Sequence, residues 1–335
     1  MAADTVENQC MRIIQAQKVI RDSLAHARLP HRAKYAMGSA FINGEYKGLH
    51  EAAIPIVDMG FLQADAAYDV MTVSKGAFFR LDDHLKGMRA SCERLHLKNP
   101  YSRAQTVEIL SKLVTLAGTK DAYVWWCVTR GLWLGGDRAD LDAFDNCLYA
   151  FVTPHQLSVN DEQRERGLDV MTRRTTARMG RSVAAATGDM ALALFEVRGQ
   201  CQDKDWVVQV DSGGYLVEVP GHSIFVIRGG ALYTCGRGRL PGSMRKSVLE
   251  LAAELGVRSD VVRLSKADLL SADEAFIGTS DGDIAPINSV DGRLLGGVSG
   301  VGPLTQQFHD CYWKKRWGGW YATPVDYVSR ATPKR

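Results

Sequence analysis

Phe78-Phe79-Arg80-Leu81-Asp82-Asp83-His84-Leu85 is the stretch that decides how this chain is read. It closes an extended segment and opens a helix. Upstream, residues 71–76 read as strand and turn. Downstream, Leu85, Met88 and Leu95 recur at helical intervals and predict a helix over 85–95. A second helix is expected over 106–117, then an apolar strand over 122–129 ending in Arg130-Gly131, and a last strand over 146–153. Toward the N-terminus, Asn43-Gly44 supplies the two positive-φ residues of a tight hairpin turn over 39–46. Residues 5–28 read as a helical arm. Pro154-His155-Gln156 is the expected link to a second half. That half shows a strand at 168–171 and a hairpin over 205–217 through Asp211-Ser212-Gly213-Gly214. A closing helix over 308–320 carries Trp313, Trp317 and Trp320 as packing residues. The implied division is an N-terminal domain 1–153, a linker 154–158 and a larger C-terminal domain 159–335.

The 335 residues suffice for two domains with a buried core. A net charge of +3 is too mild to argue for nucleic acid. Seven scattered cysteines without a Cys-x-x-Cys read as reduced thiols. No apolar run approaches the roughly 18 residues of a membrane span, and the first residues are acidic where a signal peptide is basic. The expectation is a cytoplasmic protein with neither nucleic-acid nor membrane partners, and no metal site.

The order of motifs adds a resemblance. "F-I-N-G" at 41–44, "I-x-I-x-D-x-G-F" at 54–61, "D-x-x-Y-D-V" at 65–70, "F-F-R-L-D-D-H-L" at 78–85 and "V-T-R-G" at 128–131 resemble the class IV aminotransferases. These are the fold type IV pyridoxal-phosphate enzymes, and within them the series is most similar to the fungal (R)-selective amine transaminases. The resemblance implies an α/β (α+β) fold of two domains with the site between them, and a homodimer. It implies that Arg80 grips the cofactor phosphate, as a guanidinium fork suits phosphate oxygens. Ser243, Thr279 and Ser280 would complete that cup. Glu218 would face the pyridine nitrogen, and Arg130 would hold a substrate carboxylate, so that an acidic substrate or product is expected. Asp65 and Tyr68 would line the pocket. The (R)-selective relatives carry His where Gln63 stands here.

One position departs sharply. Relatives read roughly Val-Lys-Asn-x-x-x-Gly-Asp-Leu. Anchoring on Gly188-Asp189-Met190 puts Val183 where the Schiff-base lysine belongs, and no lysine lies between Arg166 and Gln202. The lysine amine both holds the aldehyde and shuttles the proton; valine does neither. Further departures are Met244 for a phosphate-binding threonine, and Asp281 and Asp283 for small neutral residues, where a carboxylate repels a phosphate. His222 is a new titratable group. The leading expectation is a repurposed enzyme of acid/base type (isomerisation, cyclisation or lyase chemistry) on a small molecule, as in secondary metabolism. Glu218, His222, Asp281 and Tyr68 are its candidate catalytic residues, and Asp65, Arg130 and Val183 its substrate contacts. No cofactor is expected, with pyridoxal phosphate able to bind only non-covalently. Two alternatives are a pyridoxal- or pyridoxamine-phosphate protein working without the lysine, and a non-catalytic scaffold.

Overall fold

A computed structural model describes residues 13–26, 33–174, 186–188, 204–217, 222–236 and 242–327. Two sheets organise them. The first contains β1 (Ser39–Ile42), β2 (Glu45–Gly48), β3 (Ala66–Ser74), β4 (Ala77–Phe79), β5 (Ala122–Thr129), β6 (Cys147–Pro154) and β16 (Ala322–Pro324), in the order β16-β4-β3-β5-β6-β1-β2. The β1–β2 hairpin turns at Asn43 (φ 50°) and Gly44 (φ 84°), as the Asn-Gly pair predicts. β5 spans the expected residues. Its side chains alternate: Ala122, Val124, Trp126 and Val128 face helices α3 (Leu81–Arg94) and α4 (Arg103–Ala117), while Cys127 joins Tyr68 and Tyr149 on the opposite face. Helix α4 begins three residues earlier than its apolar spacing suggests. Ser102 and Gln105 form a reciprocal capping box there, which satisfies two amides that would otherwise lack partners.

The second sheet is mixed: β12 (Ser259–Val262), β11 (Ala231–Cys235), β10 (Ser223–Arg228), β13 (Glu274–Gly278), β14 (Ile284–Val290), β7 (Leu168–Arg174), β8 (Trp206–Val210) and β9 (Leu216–Val217), with β15 (Arg293–Leu294) beside β14. Phe225 and Phe276 are register partners and stack at 4.7 Å on the face covered by α1 (Ala16–His26), α6 (Ser243–Glu254) and α8 (Pro303–Trp317). Short helices α2 (Met59–Gln63), α5 (Asp161–Arg166) and α7 (Lys266–Leu270) complete the described elements.

Both chain ends depart from a simple halving. The helical arm docks on the second sheet's layer: Asp161 accepts from the Gln17 and Lys18 amides, and Asp310 from the Ile14 amide. At the other end β16 returns to the first sheet, pairing with β4. Trp320 carries it there by packing on Phe79 at 5.6 Å. No helix among the described residues is long and apolar enough to cross a membrane.

Candidate active site

Arg80 follows β4 and stands at the N-terminus of α3 in the left-handed region (φ 52°). The guanidinium is buried over Tyr321 at 4.0 Å. Nε donates to Ser247 Oγ (3.0 Å), Nη1 to Asp83 (2.7 Å) and Nη2 to Glu250. Lys246 also reaches Asp83 (2.8 Å). Burial works against the Asp83 charge, but the bonds from Lys246 and Arg80 outweigh it and hold the carboxyl below its ordinary range. The arginine expected to await a phosphate is thus already flanked by two carboxylates. Ser243 opens α6, and its carbonyl accepts from the Ser247 hydroxyl. Met244 points away into the core, its Cβ against Gly278.

The turn after β13 carries Thr279, Ser280, Asp281 and Asp283. Thr279 is fully buried. Its hydroxyl accepts from the Asp283 amide (3.0 Å) and its own amide donates to the Asp283 carbonyl (2.9 Å). Ser280 is half-buried. The Asp283 side chain corrects the expectation of a carboxylate opposing phosphate. It receives Arg164 Nε (3.0 Å) and Trp313 Nε1 (2.8 Å) within the second domain.

Asp281 is different. Ser158 donates its amide and hydroxyl to Oδ2, while Oδ1 is buried with no partner among the described residues. His155 Nε2 lies 2.9 Å from the Asp281 carbonyl oxygen. A carbonyl only accepts, so Nε2 carries the proton and Nδ1 is the bare acceptor, also unpartnered. His222 directly precedes β10, whose Ser223 pairs with Gly278, so it flanks Thr279. It packs edge-on against Trp206 at 5.0 Å, and its Nδ1 is buried with no partner among the described residues. Burial lowers the His222 pKa, opposed by the Asp281 charge. On the first sheet, burial, then Asp281 and Asp69, push the Tyr123 phenol up to about 12. Sequence reasoning missed Tyr123 and His155. The only signal for Tyr123 was the alternation of β5, which puts it on the face opposite the helices.

The histidines make a pH prediction. Burial, then the nearby Arg316 charge, takes His155 from 6.5 to about 4. The unfolded chain therefore binds more protons between those values, so stability should fall as pH drops from about 6.5 to about 4, by up to roughly 3 kcal/mol. Urea unfolding at both ends of that window measures it, and His155→Gln should flatten the slope.

Arg130 and Asp65 are paired with each other. Arg130 is buried and donates to both Asp65 oxygens (2.9 and 3.2 Å) and to the carbonyls of His96 (2.6 Å) and Leu95 (2.7 Å). Its fork fastens the end of α3 to the entry of β3. Tyr68 stacks near Trp125 (6.4 Å) in an aromatic row that continues through Phe151 (5.4 Å) to Tyr123 (6.2 Å). Beside this row lies a cavity of about 420 Å³. Its polar floor is Asp58, which accepts from the Gly60 amide (2.7 Å) and the Thr129 (2.8 Å) and Tyr149 (2.9 Å) hydroxyls. Thr187 lines its rim, and Ala186 bridges to Ala67 of β3. Val183 and Glu218 lie outside the described residues, as does the 189–203 stretch. No group of His, Cys, Asp and Glu that could hold a metal occurs among the described residues.

Comparison with known proteins agrees with this architecture. Residues 66–290 match the family model described as amino-transferase class IV. A branched-chain-amino-acid aminotransferase of Pseudomonas aeruginosa is 28% identical, covering 76% of this chain and 83% of its own. A D-alanine aminotransferase of Listeria monocytogenes is 24% identical, covering 81% and 93%. The branched-chain aminotransferase of Thermoproteus uzoniensis, solved with norvaline, superposes with a TM-score of 0.76 at 23% identity, over 87% of this chain and all of that one. That of Thermobaculum terrenum, solved in its PLP-bound holo form, gives 0.75 at 19%, over 87% and 99%. With two-thirds of its length matched and both sheets in place, the chain belongs to the class IV aminotransferase family, in the fold of the fold type IV branched-chain enzymes.

Proposed function

We propose that this chain is an aminotransferase-fold enzyme that has left Schiff-base chemistry and works without pyridoxal phosphate, moving a proton on a small organic molecule. The observation that carries the reading is the state of Arg80. Its donors go to Asp83, Glu250 and Ser247, and the Thr279 hydroxyl accepts from Asp283. A phosphate dianion entering here would meet two carboxylates around the buried guanidinium, with an unpartnered Asp281 oxygen close to the same turn. The described residues of the cup do not fit it. Val183 at the lysine position points the same way.

His222 is the group we assign to take the proton. Its lowered pKa keeps it neutral at physiological pH, and a neutral imidazole with an open nitrogen is a general base. Asp281 stabilises the imidazolium that forms. Tyr123 stays protonated across the neutral range, and so can deliver a proton elsewhere on the same molecule. One proton leaves the substrate, one returns, and nothing is oxidised. The chain is also proposed to pair as a homodimer; exposed Ile54 and Phe61 at the edge of the cavity support a covered face there.

The test is a turnover screen with extensively dialysed protein, read by mass spectrometry. The expected product has its substrate's mass, or the mass of two fragments of it, and its rate does not change on adding pyridoxal phosphate. Amino transfer that depends on the added cofactor would refute the reading.

A further inference from the structure

We propose that helix α1 is a positioning element of the proposed site: docked, it holds the Thr279–Asp283 turn, and with it the Asp281 carboxylate, through two routes of hydrogen bonds. The part Asp281 plays in proton transfer rests on the reading above; its coupling to the arm does not. The first route runs through the linker. Gln17 Oε1 accepts from the Leu157 amide (2.9 Å). The next residue, Ser158, donates its amide and its hydroxyl (2.8 Å) to Asp281 Oδ2. The second route runs through α5. Asp161 accepts from the Gln17 (3.2 Å) and Lys18 (2.8 Å) amides, and the oxygen that takes Gln17 also takes Arg164 Nη1 (2.7 Å). Arg164 Nε in turn donates to Asp283 Oδ2 (3.0 Å). The Asp283 amide donates to the Thr279 hydroxyl (3.0 Å), and the Thr279 amide to the Asp283 carbonyl (2.9 Å), which closes the turn.

The first-turn amides of an α-helix have no partner within the helix. Asp161 accepts two of them from 144 and 143 residues away, and its charge suits the positive end of the helix dipole. An amphipathic helix draws its stability chiefly from packing. Ala16 and Ile20, one turn apart, are buried in the cluster that contains Phe79, Phe225 and Tyr312. The other end of α1 fastens to the first sheet, where Ser23 donates to Asp121 (2.7 Å), whose second oxygen accepts from Ser74 (2.9 Å). The arm thus ties both sheets to the linker between them. Gln17 sits where the two routes cross, with its backbone on Asp161 and its side chain on Leu157. It is a positioning residue that acts on Asp281 through Ser158.

Hydrogen exchange of the full chain, read by mass spectrometry, tests this without a substrate. Gln17→Met keeps the side-chain length and a good helix former but removes the acceptor. We expect exchange in segment 279–283 to quicken by ~5-fold or more, the effect of losing one ordinary hydrogen bond's worth of local stability. Exchange in β5 of the first sheet should match the parent. Gln17→Glu, which retains an acceptor oxygen, should restore the parental rate. Asp161→Asn, on the other route, should quicken the same segment. Lys18→Ala is the control: its Nζ pairs with Asp22 on α1 itself, and the turn should not respond. A parental rate at 279–283 in either Gln17→Met or Asp161→Asn, a Gln17→Glu chain as fast as Gln17→Met, or an equal rise in β5 would each overturn the proposal. Turnover that ignores His222→Gln and Asp281→Asn would sink the catalytic reading but leave this coupling standing, so the two failures are separable.

Discussion

Arg164→Ala is expected to destabilise the fold by about 3–5 kcal/mol, the usual cost of stripping one partner from a buried ion pair. Arg164 is completely buried and bonds Asp283, Asp161 (2.7 Å) and the Val159 carbonyl (2.6 Å). Burial alone would raise the Asp283 carboxyl. Arg164, His309 and Trp313 outweigh it and hold it below its ordinary 3.8. Without the guanidinium, Asp283 keeps only the Trp313 indole and lies 3.6 Å from His309. The consequence reaches the site, because the backbone of Asp283 anchors Thr279 and so the turn that carries Asp281. The double change Arg164→Met with Asp283→Leu should recover much of the loss, since apolar replacement of a whole buried pair is often near neutral. Urea denaturation of the parent and both variants measures this. A loss below about 1 kcal/mol for the single variant would mean that the pair is solvated in the folded chain.

The second large effect concerns turnover. Once a substrate is in hand, His222→Gln and Asp281→Asn should each lower kcat by about 100-fold or more, the ordinary range of general acid–base catalysis. Neither should unfold the protein. The carboxamide introduced by Asp281→Asn keeps an oxygen that accepts from Ser158, and His222 Nδ1 has no partner to lose among the described residues. The pH profile carries the sign. The base must be neutral, so the rate should fall toward acid, with the limb shifted to lower pH than for an ordinary histidine because burial lowers the His222 pKa. In His222→Gln that acidic limb should vanish with the activity. Unchanged kcat in both variants would remove these residues from the site.

Local grammar made much of the fold legible. The Asn43-Gly44 turn, the apolar run of β5 and the motif around Arg80 all rest on neighbours in sequence. Even the Asp and His of the recurring motifs have a plain local account, as Asp69 and His84 tie β3 to α3 at 2.9 Å. What the sequence concealed was pairing at a distance. Arg130 is a recognisable residue in a recognisable context, yet its fork is taken by Asp65 and by two carbonyls 34 and 35 residues away. Asp283 reads as an intruder until Arg164, 119 residues earlier, is seen beside it. Arg80 likewise reads as a phosphate grip because Glu250 is 170 residues off. In each case residue type is written locally, and whether the charge is free for a ligand is settled by the tertiary partner. Tyr123 is hidden for the opposite reason: on a strand this apolar, only the face it takes distinguishes it from core.

The site is proposed to hold no phosphate cofactor. The direct measurement is the absorbance spectrum of the purified, dialysed protein titrated with pyridoxal phosphate, with thermal unfolding followed in the same samples. The expected result is a spectrum equal to the sum of protein and free cofactor, no retained chromophore after gel filtration and an unchanged unfolding midpoint. A yellow species that travels with the protein, or a midpoint that rises with cofactor concentration, would contradict it.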